Sequence, residues 1–293
     1  MHAASQSGKN LEEVEMAGKK KTSRAKAPVK RGPSARLGLA IALAAGLAVL
    51  LAGALWPVEP RAAEYDYRVL AKLPHDADAF TQGLVYQDGN FFESTGLRGE
   101  STLRKVNAES GDVLLRRRLE ETYFGEGLCL FDNKLYQLTY QEGKAFVYNS
   151  ETFIPIESFD YGGEGWGLTH DGSQLIMSNG TDVLSFRDPE NFAEKRSLRV
   201  RFRGKPLTNL NELEYIKGEI WANVWQTKRI VRISPETGHV LGSVFMKKFP
   251  PRSDRTGDED YLNGIAYDPE GDRLFVTGKR YAYIYQIELF EKE

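Results

Sequence analysis

The chain has 293 residues, 27% charged, 41% apolar and 11% aromatic, which excludes disorder for its bulk and leaves ample apolar mass for a core. Thirty-nine Lys/Arg against 41 Asp/Glu give a formal charge of −2, so no overall positive field exists to hold a nucleic acid. The single cysteine, Cys129, allows no internal disulfide, and the four histidines carry no HxxxH or CxxC partner from which a zinc site could be read.

Charge is spread unevenly: residues 1–63 hold ten Lys/Arg and four Asp/Glu, leaving 29 and 37 beyond them and a body near −8. Residues 1–36 read as a basic cytoplasmic tail, with Met16 as a second candidate start. Residues 37–56 read as a transmembrane signal-anchor or a signal peptide. From 37 to 55 run nineteen residues without a charged or polar side chain, roughly 28 Å of helix, which is enough to cross a hydrocarbon core. The preceding basic cluster orients the N-terminus to the cytoplasm. The length of the run favours a retained anchor, while Ala52-Gly53-Ala54 offers small residues for cleavage. Either way the remainder is expected to be exported to a periplasmic or extracytoplasmic space, anchored in the inner membrane or released. Residues 57–64 read as a linker.

From Glu64 onward the helical period is absent, and short runs of Val, Ile, Leu, Tyr, Phe and Thr are cut by Gly, Asp, Asn and Pro turns. One motif recurs: Gln82-Gly83-Leu84, Glu126-Gly127-Leu128, Trp166-Gly167-Leu168, Asn211-Glu212-Leu213 and Asn263-Gly264-Ile265. Its starts are 44, 40, 45 and 52 residues apart. Each copy precedes a turn, such as Asp88-Gly89 or Asp132-Asn133, and then further strands. A unit of about 45 residues and four strands has the size of a propeller blade. The expected fold is all-β, a five-bladed β-propeller over residues 65–293. The fifth unit holds only three strands, and residues 65–73 are expected to supply its fourth, which removes an open edge. A β-sandwich with a small second domain is the structural rival.

In such a blade the first strand lines a central channel, and the second returns to the face where the first began. Two rings should therefore meet at one mouth. Gln82, Glu126, Trp166, Asn211 and Asn263 form the first, and the neighbourhood of Thr95, Tyr140, Asn179, Trp225 and Lys279 the second. A carboxylate, an amine, amides and large aromatics suit a pocket for a polar ligand. Asn263 is read as satisfying strand-end backbone groups. Asp254, Asp258, Glu259 and Asp260 are read as a solvated crossing between blades, and Asn179-Gly180-Thr181 as a turn.

The segments Ala79-Phe80-Thr81-Gln82-Gly83-Leu84, Tyr123-Phe124-Gly125-Glu126-Gly127-Leu128, Leu210-Asn211-Glu212-Leu213-Glu214-Tyr215, Trp221-Ala222-Asn223-Val224-Trp225-Gln226 and Phe275-Val276-Thr277-Gly278-Lys279 resemble glutaminyl-peptide cyclotransferases of the plant and bacterial type. The likeness runs over residues 65–290. It implies an enzyme that converts N-terminal glutamine of peptides or proteins to pyroglutamate and releases ammonia. It also implies Glu126 as the central acid/base with Lys279 as a second catalytic group, and Phe80, Gln82, Phe124, Tyr140, Trp166, Asn211 and Trp225 around the substrate. Tyr140 departs from the tryptophan of plant members. No metal or cofactor is expected, nor any nucleic-acid partner, and a monomer is the expected state.

These residue types suit that chemistry. The attacking α-amine and its γ-carboxamide target belong to one residue, so the enzyme must hold a productive bend, which aromatic walls can do. A buried carboxylate with a raised pKa can take the amine proton and return it to departing ammonia. Lys279, Gln82 or Asn211 are the candidate donors to the developing oxyanion. Glu164, near the mouth, is a second carboxylate that could be mistaken for the catalyst. The alternative from another class is a non-catalytic exported propeller that binds a peptide or protein at the same mouth. A calcium-dependent lactonase is a third reading.

Overall fold

Beyond residue 60, turn-punctuated apolar runs of five to seven residues pair with their neighbours into antiparallel sheets. The computed structural model describes residues 61–292; the expected tail and membrane segment, and the first residues of the linker, lie outside the described residues. The first strand, β1 (Ala63–Pro74), begins inside the expected linker. A set of four follows: β2 (Thr81–Gln87), β3 (Asn90–Thr95), β4 (Thr102–Asn107) and β5 (Val113–Arg118). The pattern recurs as β6 (Gly125–Phe131), β7 (Lys134–Thr139), β8 (Lys144–Asn149) and β9 (Pro155–Asp160). It recurs again, with shorter strands, as β10 (Leu168–His170), β11 (Leu175–Met177), β12 (Val183–Arg187) and β13 (Glu194–Arg199). A small ribbon, β14 (Arg201–Phe202) and β15 (Lys205–Pro206), precedes β16 (Leu210–Ile216), β17 (Glu219–Val224), β18 (Arg229–Ile233) and β19 (Val240–Phe245). The last strands are β20 (Leu262–Asp268), β21 (Arg273–Gly278) and β22 (Tyr283–Glu291). Among the described residues there is no α-helix, and none is long and apolar enough to cross a membrane.

The order within each set follows the chain. β1 supplies the fourth strand of the last one, running antiparallel to β22 from Tyr65 opposite Glu291 to Pro74 opposite Tyr283. Its first residues also pair in parallel with β19, Ala63 opposite Gly242, which joins two sets into one eight-stranded sheet. Tight hairpins link the first two strands of the sets. Asp88-Gly89, Asp132-Asn133 and Lys217-Gly218 all have positive φ at both turn residues, the type I′ geometry whose twist matches the strands it joins.

Apolar layers lie between consecutive sets. Leu128, Leu135 and Tyr148 meet Phe92 and Leu103 in one layer, and Cys129 and Leu138 meet Leu168 and Met177 in the next. Ile176 and Phe186 face Leu213 and Ala222, Trp221 and Ile230 face Ile265 and Tyr285, and Ala266 and Phe275 pack back on Leu84 and Phe91. The first strands of the sets contact one another in the circular order β2, β6, β10, β16, β20 and β2 again. Glycine makes that approach possible. A Cβ at Gly167 would stand 2.0 Å from the Asn211 carbonyl oxygen, and one at Gly127 2.6 Å from that of Trp166. The fourth repeat departs, with Glu212 in the glycine place. Its buried carboxylate accepts from the N–H groups of Ile265 (2.8 Å) and Leu84 (3.4 Å), so it bridges β20 and β2.

A buried ionic cluster ties the segment after β1 to β3, β4 and the β21–β22 connection. Glu93 accepts from Thr81 at 2.7 Å, pairs with His75 at 2.9 Å and is bonded by Arg104, which also holds Asp76 at 2.6 Å. The other nitrogen of His75 lies 2.6 Å from the Tyr281 carbonyl oxygen. Burial would lift the Glu93 pKa, but Arg104 and His75 outweigh it and hold the group ionised. Asp254, expected in solvent, is instead a partly buried anchor whose side chain accepts from Lys72 at 2.6 Å and from Tyr285 at 3.1 Å. A twelve-residue strand, β1, brings Lys72 to it, and no local sequence pattern announces that contact.

Candidate active site

At the start of four inner strands the pairing register slips: between Thr81 and Gly83, Gly125 and Leu128, Leu210 and Leu213, and Leu262 and Ile265. Gln82, Glu126, Asn211 and Asn263 each lie in one of these bulges, the last three followed there by Gly127, Glu212 and Gly264. A bulge leaves a residue out of the ladder and re-aims its side chain, which gathers one amide or carboxylate from each strand at the same end of the molecule. Trp166 takes the fifth place, just before β10, and its carbonyl accepts the N–H of Gly127 at 2.7 Å.

Glu126 is only 5% exposed. Its Oε1 accepts from Gln82 Nε2 at 2.9 Å. Gln82 in turn accepts at its own Oε1 from Asn263 Nδ2 at 3.1 Å. Burial drives the Glu126 pKa well above the ordinary carboxylate range; Lys279 opposes that rise, and Glu164 and Glu142 add to it. Lys279 is also 5% exposed, and burial lowers its pKa. Among the described residues no carboxylate lies within ion-pair distance of its Nζ; the ammonium instead sits 4.7 Å from the centre of the Phe80 ring. The Asn211 Oδ1 is buried without a hydrogen-bond partner.

Aromatic rings follow one another around these polar groups in edge-to-face and tilted pairs. Phe80 meets Phe124 at 6.2 Å, Phe124 meets Tyr140 at 5.8 Å, Tyr140 meets Trp166 at 6.5 Å and Trp166 meets Trp225 at 5.3 Å. Trp225 then meets Tyr261 at 5.9 Å, and the Tyr261 carbonyl accepts the Lys279 N–H at 3.0 Å, which closes the circuit. Of the nine residues named from the sequence as site residues, Phe80, Phe124, Tyr140, Trp166, Trp225 and Lys279 make up this circuit together with Tyr261; Gln82 and Glu126 are joined by their hydrogen bond, and Asn211 occupies the equivalent bulge of β16. Glu164 accepts from Trp166 Nε1 and from Gln141 Nε2, both at 2.9 Å. Thr95 is turned into a buried pair with Thr102, and Asn179 accepts from Thr181 as a turn residue.

Tyr261 and Glu142 were not among the residues named from the sequence. Tyr261 stands two residues before Asn263, as Phe80 and Phe124 stand two before Gln82 and Glu126, and that spacing is a signal that could have found it; Glu142 lies on the β7–β8 connection, outside the repeating motif. Glu142 accepts the Phe124 N–H at 3.4 Å and the Arg98 guanidinium at 2.5 Å. A cavity of about 940 Å³ opens at the opposite end of the inner strands, among the hairpin turns at Asp88, Asp132, Asp171 and Lys217. No residue of the aromatic circuit lines it, and its acidic residues are largely those the turns themselves favour.

The family model for glutamine cyclotransferase matches residues 40–289. A glutaminyl-peptide cyclotransferase of Arabidopsis thaliana is 42% identical over 228 residues, which are 76% of this chain and 71% of the relative. The crystal structure of Myxococcus xanthus glutaminyl cyclase matches with a TM-score of 0.74 at 35% identity, covering 80% of this chain and 100% of that one. The bulge-borne carboxylate inside its aromatic circuit thus sits in a chain that belongs to the glutamine cyclotransferase family.

Proposed function

We propose that this protein converts the N-terminal glutamine of peptides and proteins to pyroglutamate with release of ammonia. Family membership supports the activity, and one observation carries the mechanism: a buried carboxyl with a raised pKa, held by one amide and ringed by aromatic side chains beside an unpaired ammonium. The substrate's α-amine nitrogen bonds to its own γ-carbonyl carbon, and the bond from that carbon to the amide nitrogen breaks. Glu126 takes the proton that the attacking amine gives up and passes it to the leaving ammonia. Lys279 faces the oxyanion, because Gln82 is already committed to Glu126 and Asn263. Asn211 offers its unpaired oxygen to a substrate N–H. Phe80, Phe124, Tyr140, Trp166 and Trp225 hold the glutamine side chain bent and keep water away from the reacting carbon.

The five sets of strands are, in this account, five propeller blades, with β1 completing the last. The circular contact of inner strands and the apolar layer between each pair of sets support that reading. The apolar run at residues 37–55 and its basic flank support an exported, membrane-anchored or secreted enzyme, with the catalytic domain on the extracytoplasmic side.

Ammonia release from a glutamine-initiated dipeptide by the purified protein tests the activity. The N-acetylated peptide should be inert, because its nitrogen cannot attack, and the glutamate-initiated peptide should react far more slowly. No ammonia from folded protein across neutral and mildly alkaline pH, or equal turnover of glutamine and glutamate peptides, contradicts the proposal.

A further inference from the structure

Behind Gln82 stands a side chain that never touches Glu126. Asn263 is 1% exposed and donates from one nitrogen to two oxygens, the Thr81 backbone carbonyl and Gln82 Oε1, each at 3.1 Å. A backbone carbonyl cannot reverse its polarity, so Thr81 decides which end of the Asn263 amide faces it. The nitrogen placed there decides which end of the Gln82 amide faces Asn263. Gln82 is left with its nitrogen toward Glu126, at 2.9 Å. Reversal of either amide would set two oxygens against each other in a buried site.

The backbone under Asn263 is also fixed. Gly264 adopts φ +120°, where L side chains rarely go, and its N–H is held by Asn223 Oδ1 at 3.0 Å. Asn263 Oδ1 is buried with no partner. Buried acceptors are seldom left unpaired, so this side chain is kept for its donor.

We propose that Asn263 is a positioning residue for Glu126: through Gln82 it commits Oε1 of the carboxylate to a hydrogen bond and reserves Oε2 for the substrate. This rests on Glu126 being the acid/base. The other groups that act on Glu126 are Lys279, Glu164 and Glu142, and the Tyr140 and Tyr161 hydroxyls feel its charge. None of them is hydrogen-bonded to the Asn263 side chain, whose partners are the Thr81 carbonyl and Gln82.

Asn263→Leu, close in size and unable to donate, frees Gln82 to turn. A carboxylate that loses a donated hydrogen bond holds its proton more tightly. The test is a carbon-13 NMR titration of the Glu126 carboxyl, assigned against Glu126→Gln, together with the pH profile of kcat/KM. We expect the carboxyl midpoint to rise by about one unit, a tenfold tighter proton, and the acidic limb of the profile to follow. In a Gln82→Ala background the same substitution should move the midpoint no further. If Asn263→Leu fails to fold, Asn263→Ala, which lets water reach the Thr81 carbonyl, should give the same shift. An unmoved midpoint, or an equal shift without Gln82, overturns the proposal and leaves Asn263 a structural residue. A moved midpoint with an unmoved rate profile supports the positioning and refutes Glu126 as the acid/base.

Discussion

At Glu126 burial favours the protonated carboxyl, the Lys279 ammonium favours the carboxylate, and Glu164 and Glu142 push back toward protonation. A general acid/base works best with its pKa near the working pH, and this balance places it above an ordinary carboxylate. The neighbours are therefore separable handles. Glu164→Gln removes a like charge and keeps an acceptor for the Trp166 indole, so the acidic limb of the pH profile of kcat/KM should move down. Lys279→Met removes the positive charge that opposes the effect of burial at Glu126, so the same limb should move up, and kcat should fall by about 10²-fold if the ammonium stabilises the oxyanion. Shifts in the same direction for both variants would contradict the electrostatic account. Glu126, Gln82 and Trp166 were legible because each opens a copy of the repeating motif. The partners that tune Glu126 were less so: Glu142 lies on a hairpin loop, and Asn263 declares its role only through the hydrogen bond to Gln82.

Single elements carry the site through their irregularities. The four bulges at the heads of β2, β6, β16 and β20 put a polar residue where a regular ladder would put a paired one, and the glycines beside three of them let neighbouring strands close in. The motif Gln-Gly-Leu or Glu-Gly-Leu signals the close approach, whereas the bulge itself has no sequence code and appears only in the pairing register. β1 is the other decisive element. It pairs with β22 along nearly its whole length and brings Lys72 to Asp254. A chain beginning after Pro74 would expose the edge of β22, so it should melt far below the full chain, with a loss of several kcal/mol. Equal melting temperatures in thermal denaturation would show that closure does not depend on β1.

Across the whole described unit, the repeat spacing and the turn residues made the strand-rich architecture readable, because each unit buries only one face against the next and must repeat the same apolar pattern. The β14–β15 ribbon, a local hairpin turning at Arg203-Gly204, has strands of two residues, too short to show an alternating pattern, and the parallel contact of β1 with β19 depends on where distant segments meet. The same circular arrangement explains how residues as far apart as Phe80 and Lys279 come within 4.7 Å, ring to ammonium. It assembles the site from every set of strands. The most direct test of the account is kcat for Glu126→Gln on a glutamine-initiated peptide, with Glu164→Gln measured alongside. The amide preserves size and can still meet Gln82, but it cannot carry a proton. kcat should fall by about 10²–10⁴-fold with KM little changed, while Glu164→Gln retains most of its activity. Near-parental kcat in Glu126→Gln would contradict the account, and if Glu164→Gln were the inactive variant, the catalytic carboxylate would be Glu164.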